Sequence, residues 1–309
     1  MNTKTITACP PATPPLYRGR FAPSPTGQLH LGSLIAALGS YLMARSQQGE
    51  WWLRIEDIDP PREVPGAADA IRHSLEKFGF EWDQLCYQHD RLAAYQEALT
   101  RLKNTGMVYP CTCSRKAIAE NSPEPGRYPG TCRGQRHTDH AHPAWRVNTH
   151  GVNIIVDDQL QGRLSYDLET EVGDYVVFRA DGYVAYQLAS AVDDAQQGMT
   201  EVVRGVDLLD STPRQIYLQH LLKLPTPRYT HLPILVNKLG QKLSKQTYAK
   251  PLADHDPVPQ LWLAMSVLGQ APPPALRHAD LANLWAWART HWDSTKITSQ
   301  QEICLDILD

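Results

Sequence analysis

Apolar positions along the chain recur with two alternating periods. Leu16 to Ala22 reads as a strand, Pro23 to Gly27 as turn chemistry, and Gly32 to Arg45 as a helix with Leu34, Ile35, Leu38 and Leu42 inward. Trp51 to Glu56 reads as a second strand, and Val64, Ala68, Ile71, Leu75 and Phe78 fall at helical spacing, with Gly79 as the stop. A further helix is predicted from about Asp90 to Lys103, ended by Gly106. This alternation predicts an α/β fold with a Rossmann-like, doubly wound parallel sheet.

Periodicity fails between Cys111 and His142, where three cysteines and three histidines lie among prolines, as in an inserted subdomain. Strands return at Trp145–Val147 and Asn153–Val156, and Tyr175–Arg179 with Tyr183–Gln187 is predicted as a hairpin around Ala180, Asp181 and Gly182. Thr200–Arg204 reads as a strand, Thr212 as the N-cap of a helix with Pro213 at its first position, running to Leu222, and His231–Val236 as a strand entering a Lys/Gly/Ser loop. Pro257–Gly269 and Leu276–His291 are predicted as helices. The expected layout is a disordered tail (1–15), the first half of the catalytic body (16–106), an insertion (107–145), the second half (146–250) and a helical C-terminal segment (251–309).

Composition narrows the class. The 309 residues are 42% apolar and 20% charged, with a mean hydropathy of −0.40 and no 18-residue apolar run, which excludes disorder and a membrane helix. A soluble globular monomer is expected. The tail lacks an apolar signal core and six cysteines are too few for a disulfide scaffold, so a reducing cytoplasm is the expected compartment. The formal charge of −3 requires any polyanion to meet a local basic patch. From Ser211 to Ala253, 43 residues contain no Asp or Glu but seven Lys or Arg: Arg214, Lys223, Arg228, Lys238, Lys242, Lys245 and Lys250. That is the footprint of a polyanion site.

No P-loop or dinucleotide glycine signature occurs. Instead, His30-Leu31-Gly32-Ser33 opens the first helix, where free N–H groups favour an anion and Gly32 would admit a flat base. Lys242-Leu243-Ser244-Lys245 follows a strand much later, and closely spaced lysines there could neutralise charge on a transferring polyphosphate. Cys111, Cys113 and Cys132 suggest zinc, with His137, His140 and His142 as the generic candidates for a fourth ligand. Cys9, Cys86 and Cys304 are isolated and read as ordinary residues, and the eight tryptophans read as core.

Five motifs resemble, in order and spacing over about residues 17–250, the class I glutamyl-tRNA synthetases: Arg20–Gly27, His30–Ser33, Leu53–Asp59, Val203–Leu209 and Lys242–Lys245. The likeness is greatest to the branch that keeps the catalytic body and lacks the anticodon-binding domain; the 63 residues after Gln246 are expected to hold two short helices rather than a further domain. The chain departs from the pattern at Ser33 (usually His), Leu243 (Met) and Gln246 (Ser).

The resemblance implies a ligase that uses ATP and Mg²⁺ to form glutamyl-adenylate from L-glutamate. It would transfer the glutamyl group to queuosine in the anticodon stem-loop of tRNA(Asp). It assigns ATP to His30, Gly32, Ser33, Lys242, Leu243, Ser244 and Lys245, with His30, Lys242 and Lys245 catalytic. Glutamate falls to Arg20, Ala22, Ser24, Glu56, Tyr186 and Arg204; two guanidinium forks suit two carboxylates, without fixing which takes which, and Glu56 suits the ammonium. A structural Zn²⁺ falls to Cys111, Cys113, Cys132 and Tyr128, since the branch uses a Tyr-x-x-x-Cys pair. The competing readings are a truncated ordinary synthetase charging a tRNA 3′ end and a catalytically idle RNA-binding relative. The dispersed charged set His30, Glu56, Arg204 and Lys245 disfavours the idle relative, because buried charge is costly.

Overall fold

The computed structural model describes residues 4–6, 16–122, 127–135, 142–242 and 251–304. After a short strand β1 (Lys4–Ile6), the chain alternates β2 (Arg18–Phe21), α1 (Leu31–Ser46), β3 (Glu50–Ile55), α2 (Ala67–Lys77), β4 (Gln84–Tyr87) and α3 (Leu92–Asn104). An antiparallel excursion follows, β5 (Val108–Cys111), α4 (Arg115–Asn121) and β6 (Ala144–Val147), then β7 (Val152–Asp158), β8 (Gly162–Asp167) and β9 (Val176–Phe178). The second winding is α5 (Tyr186–Gln196), β10 (Glu201–Gly205), α6 (Thr212–Leu222), β11 (Arg228–Leu232) and β12 (Ile234–Val236). It is followed by α7 (Pro257–Val267), α8 (Leu281–His291) and β13 (Glu302–Cys304).

Strands β2, β3 and β4 pair in parallel in that order, and β10, β11, β7 and β1 form a second parallel run with β8 antiparallel on β7. The runs meet at β2 and β10, where Thr200 N–H donates to the Arg18 carbonyl at 2.9 Å and Arg18 N–H donates to Thr200 Oγ1 at 2.9 Å. The chain therefore winds outward from β2 to β4 and restarts beside β2 at β10. Open α/β sheets bind their ligands at such a reversal, outside the carboxyl ends of the strands. Those ends here are Arg20–Phe21 and Arg204–Gly205.

Helix α1 packs across this junction. Its buried residues include Leu34, Ile35, Leu38, Tyr41 and Leu42 but also Ala37, Gly39, Ser40 and Ala44, so most of its circumference is core. A Cβ at Gly39 would stand 2.5 Å from Leu232 Cδ1; glycine allows the helix to lie against β11.

Several sequence expectations need correction. Within the stretch expected as a disordered tail, Lys4–Ile6 pairs with β7, Thr5 and Ile6 being β-branched strand formers; the rest of 1–15 lies outside the described residues. The 175–187 hairpin is reduced to a single bridge, Phe178 to Val184, because Tyr186 begins α5, whose Leu188, Ala189 and Val192 bury at helical spacing. Thr212 does not cap α6: Ser211 is the N-cap residue, and Thr212 Oγ1 turns inward to Arg204 and His231. Pro233, without an N–H, divides the 231–236 strand into β11 and β12. No helix among the described residues is long and apolar enough to cross a membrane.

Candidate active site

A cavity of about 820 Å³ opens at the switch point. Arg20, Ala22 and Ser24 reach it from β2 and the turn beyond, and His30, Gly32 and Ser33 from the start of α1. Tyr186, Arg204 and Lys242 complete its wall. The turn after β2 is fixed by neighbours, since Glu56 N–H donates to the Pro23 carbonyl at 3.0 Å and Val64 N–H to that of Pro25 at 2.9 Å.

His30 is the N-cap residue of α1, with extended backbone, and its Nδ1 accepts from Ser33 N–H at 3.4 Å. A neutral imidazole that accepts at Nδ1 carries its proton on Nε2, the form that can donate to a phosphate. Lys242 is positioned by the turn between β12 and its return: Asn237 Oδ1 accepts from the Leu239 and Gln241 N–H groups, and Lys242 bridges back to Val236. Its ammonium pairs with Asp207, another residue of the cavity wall. Leu243, Ser244 and Lys245 lie outside the described residues.

The two predicted arginines differ electrostatically. Arg20 is 3% exposed and grips Asp194 with two bonds, Nε to Oδ1 at 3.0 Å and Nη2 to Oδ2 at 3.2 Å. Arg54 adds a contact of 2.8 Å to the same carboxylate and reaches Glu56 Oε1 at 3.2 Å. Asp193, beside it on α5, is held by Gln88, Tyr95 and Arg91. Burial opposes the ionised form of Asp194, but the Arg20 and Arg54 guanidiniums outweigh it and bring its carboxyl down to about 2. For Glu56, burial prevails over Arg54 and Arg20, and the carboxyl is pushed up. Glu56 does not line the cavity; it stands behind the Ala22–Ser24 segment.

Arg204 is as deeply set, 4% exposed, yet every hydrogen-bond partner it has among the described residues is neutral. Its Nε donates to His231 Nε2 at 3.1 Å, Nη1 to the Tyr186 hydroxyl at 3.2 Å and Nη2 to Thr212 Oγ1 at 2.8 Å. Among the described residues no carboxylate forms an ion pair with it. A buried guanidinium without a counter-anion at the wall of a cavity is matched to an anionic ligand.

Sequence reasoning missed Arg54, Asp193, Asp194, His231 and Asp158. The available signal was the adjacent acids Asp193 and Asp194 at the end of the apolar run Leu188–Val192, both 0% exposed in the fold.

In the insertion, the Sγ atoms of Cys111, Cys113 and Cys132 lie within 4.8 Å of one another, with Cys113 and Cys132 at 3.4 Å. The Tyr128 oxygen sits 3.3 Å from Cys111 Sγ and 3.5 Å from Cys113 Sγ, and accepts from Cys132 N–H at 2.9 Å. Tetrahedral zinc with bonds of about 2.3 Å to sulfur needs ligand atoms just under 4 Å apart, so three thiols and a phenol oxygen suit the ion. Burial raises the Cys132 thiol, but hydrogen bonding from Tyr128, Thr112 N–H and the other two thiols draws it down to about 6, which favours a thiolate. His142 is exposed and outside this cluster, while His137 and His140 lie outside the described residues.

Part of the acid-free basic stretch is neutralised across space: Arg228 pairs with Glu201 and Lys242 with Asp207. Arg214 is half-buried and donates to the Asp210 carbonyl.

Residues 17–256 match the family model of the class I tRNA synthetases (E and Q), catalytic domain, and the chain belongs to that family of ligases. A protein of Aromatoleum aromaticum named glutamyl-Q tRNA(Asp) synthetase is 54% identical over 293 residues, 94% of this chain and 92% of its own length. A protein of that name from Dechloromonas aromatica is 52% identical over 94% of this chain and 98% of its own. Among solved structures, a glutamate tRNA ligase from Elizabethkingia meningosepticum in complex with its amino acid superposes with a TM-score of 0.76 at 23% identity. The match covers 92% of this chain and 66% of the other. The glutamate-tRNA synthetase of Elizabethkingia anophelis gives a TM-score of 0.78 at 22% identity, with coverage of 95% and 69%. These neighbours share the fold, and this chain spans about two thirds of their length.

Proposed function

We propose that the protein activates L-glutamate with ATP and transfers the glutamyl group to queuosine in the anticodon loop of tRNA(Asp), in the cytoplasm. The observation that carries the amino-acid half is Arg204, an unneutralised guanidinium on the cavity wall beside the Tyr186 hydroxyl. Arg204 with Tyr186 would take one glutamate carboxylate and Arg20 the other through the N–H groups not engaged by Asp194; Glu56, held by Arg54 behind the Ala22–Ser24 segment, does not reach the cavity wall and is not assigned the ammonium. Ala22 and Ser24 frame the pocket.

ATP would lie along the start of α1, with Gly32 against the base, Ser33 at the helix entrance and His30 Nε2–H donating to the phosphates. A glutamate carboxylate oxygen then attacks the α-phosphorus, an oxygen–phosphorus bond forms, and pyrophosphate leaves. Lys242 and Lys245, in a loop with Leu243 and Ser244, stabilise the charge growing on pyrophosphate. Mg²⁺ arriving with the nucleotide would add charge neutralisation at the phosphates. In the second step a hydroxyl of the queuosine cyclopentenediol attacks the activated carbonyl and AMP leaves. The Cys111, Cys113, Cys132 and Tyr128 set would hold a structural Zn²⁺ that fixes the insertion.

The acceptor reading is supported by the names of the relatives that match over more than nine-tenths of the chain. Glutamate-dependent ATP–pyrophosphate exchange is expected without RNA; exchange that is absent, or faster with aspartate or glutamine, refutes activation of glutamate. Labelled glutamate should then pass to tRNA from cells that make queuosine, and not to the same pool after periodate cleavage of its cis-diols. Equal labelling of tRNA from cells lacking queuosine overturns the acceptor and favours the 3′ end.

A further inference from the structure

Behind Arg204 lies a buried chain of hydrogen bonds that the proposed chemistry does not yet use. His231, on β11, is 0% exposed. Its Nε2 faces two donors, Arg204 Nε at 3.1 Å and Thr212 Oγ1 at 3.1 Å. Its Nδ1 faces Asp158 Oδ2 at 2.6 Å. Only the neutral tautomer with the proton on Nδ1 satisfies all of these contacts, because a proton on Nε2 would point at the Arg204 N–H. Asp158, in turn, cannot rotate freely. Its other oxygen, Oδ1, accepts from Leu160 N–H at 3.0 Å, Gln161 N–H at 2.8 Å and His231 N–H at 3.3 Å.

We propose that Asp158 and His231 form a positioning dyad for Arg204. Asp158 fixes the imidazole tautomer, and the imidazole presents a neutral acceptor that orients the guanidinium without cancelling its charge. The contrast with Arg20 gives the reason: Asp194 pairs directly with Arg20 and occupies two of its N–H groups, whereas the Asp158 carboxylate is kept one imidazole ring away from Arg204. The same anchoring carboxylate therefore leaves Arg204 aligned and cationic, ready for a ligand carboxylate. This inference rests on the glutamate-activating reading and names two residues outside its substrate contacts.

The test is Asp158→Asn. Three backbone N–H groups hold the Oδ1 position as acceptor, so the amide NH₂ must occupy the Oδ2 position and donate to His231 Nδ1. That drives the imidazole proton to Nε2, against Arg204. In glutamate-dependent pyrophosphate exchange, KM for glutamate should rise about 10- to 100-fold, the scale of losing a buried hydrogen bond to a charged group. KM for ATP and kcat should stay within about threefold of wild type. Nitrogen NMR of labelled histidine should show the proton moving from Nδ1 to Nε2 of His231. A second pair keeps the test independent of that variant's folding: His231→Gln, whose amide reaches the Nε2 position, should retain a lower glutamate KM than His231→Asn, which reaches only Nδ1.

Unchanged glutamate KM in Asp158→Asn together with the shifted tautomer overturns the dyad, as do equal values for the Gln and Asn variants at 231. A fall in kcat alone overturns it as well, since loss of folded protein would do the same. Wild-type protein that gives no glutamate-dependent exchange refutes the activating reading itself, and the dyad's role falls with it; that result is separated from the others by the wild-type arm.

Discussion

Replacing Asp194 by Asn should destabilise the folded chain by a calculable amount while leaving its shape intact. The carboxylate lies between Arg20 and Arg54, with contacts of 3.0, 3.2 and 2.8 Å, and all three residues are 3% exposed or less. Its carboxyl falls to about 2 from an ordinary 3.8. At about 1.4 kcal/mol per pKa unit, that shift is worth roughly 2–3 kcal/mol of stability at neutral pH. Breaking a buried ion pair from one side costs about 3–5 kcal/mol, so the variant should lose about 2–4 kcal/mol. The sign with pH follows from the depressed folded value. The stabilisation is complete above the unfolded carboxyl's range and is lost as pH falls through about 2. Urea unfolding of wild type and Asp194→Asn should therefore give a constant difference from about pH 7 to 5 that narrows below about pH 4. A difference under about 0.5 kcal/mol at pH 7, or one that does not narrow in acid, would refute the assignment of this carboxylate as the anchor of both guanidiniums.

Metal analysis should find about one zinc per chain, and Cys132→Ser should reduce it sharply; less than about 0.2 per chain after metal-replete expression would remove the zinc reading. Tyr128→Phe should lower zinc affinity, and full retention would point to another fourth ligand. Lys245→Ala should slow pyrophosphate exchange by on the order of 10²-fold with little change in glutamate KM, measured at saturating ATP. Gly39→Val should destabilise by about 1–3 kcal/mol in urea unfolding, since its Cβ would overlap the buried Leu232 side chain, and a neutral result would mean that Leu232 moves aside without cost.

The alternation of α1, β3 and α2 was legible because each carries an apolar run or period, with Gly79 as the stop after α2, and β2 was legible from the turn chemistry of Pro23–Gly27 that follows it. Strands β4, β5 and β8 were not: Gln84–Tyr87 and Val108–Cys111 have four residues each, too few to establish a period. The Gly162–Asp167 strand is an edge strand with little apolar content. Helix α5 was misread because Tyr183-Val184-Ala185-Tyr186 is a short apolar run rich in strand formers after a Gly-bearing turn, and the helical spacing of Leu188 and Val192 begins only beyond it.

Charge was the harder quantity to read along a line. The sequence marks Arg20 and Arg204 as equivalent forks, and counts Arg228 and Lys242 as part of one basic stretch. The fold separates them by what stands opposite: Asp194 against Arg20, Glu201 against Arg228 and Asp207 against Lys242, each at least 27 positions away in the chain. Among the described residues, Arg204 alone of these four faces neutral acceptors and no paired carboxylate, because β11 sets His231 level with it in the parallel register while β7 brings up Asp158 behind. The electrostatic difference between the two arginines is thus a property of strand order. The arginines can be located from their motifs, but only the pairing of β10, β11 and β7 determines that Arg204, unlike Arg20, has no carboxylate of the described residues paired with it.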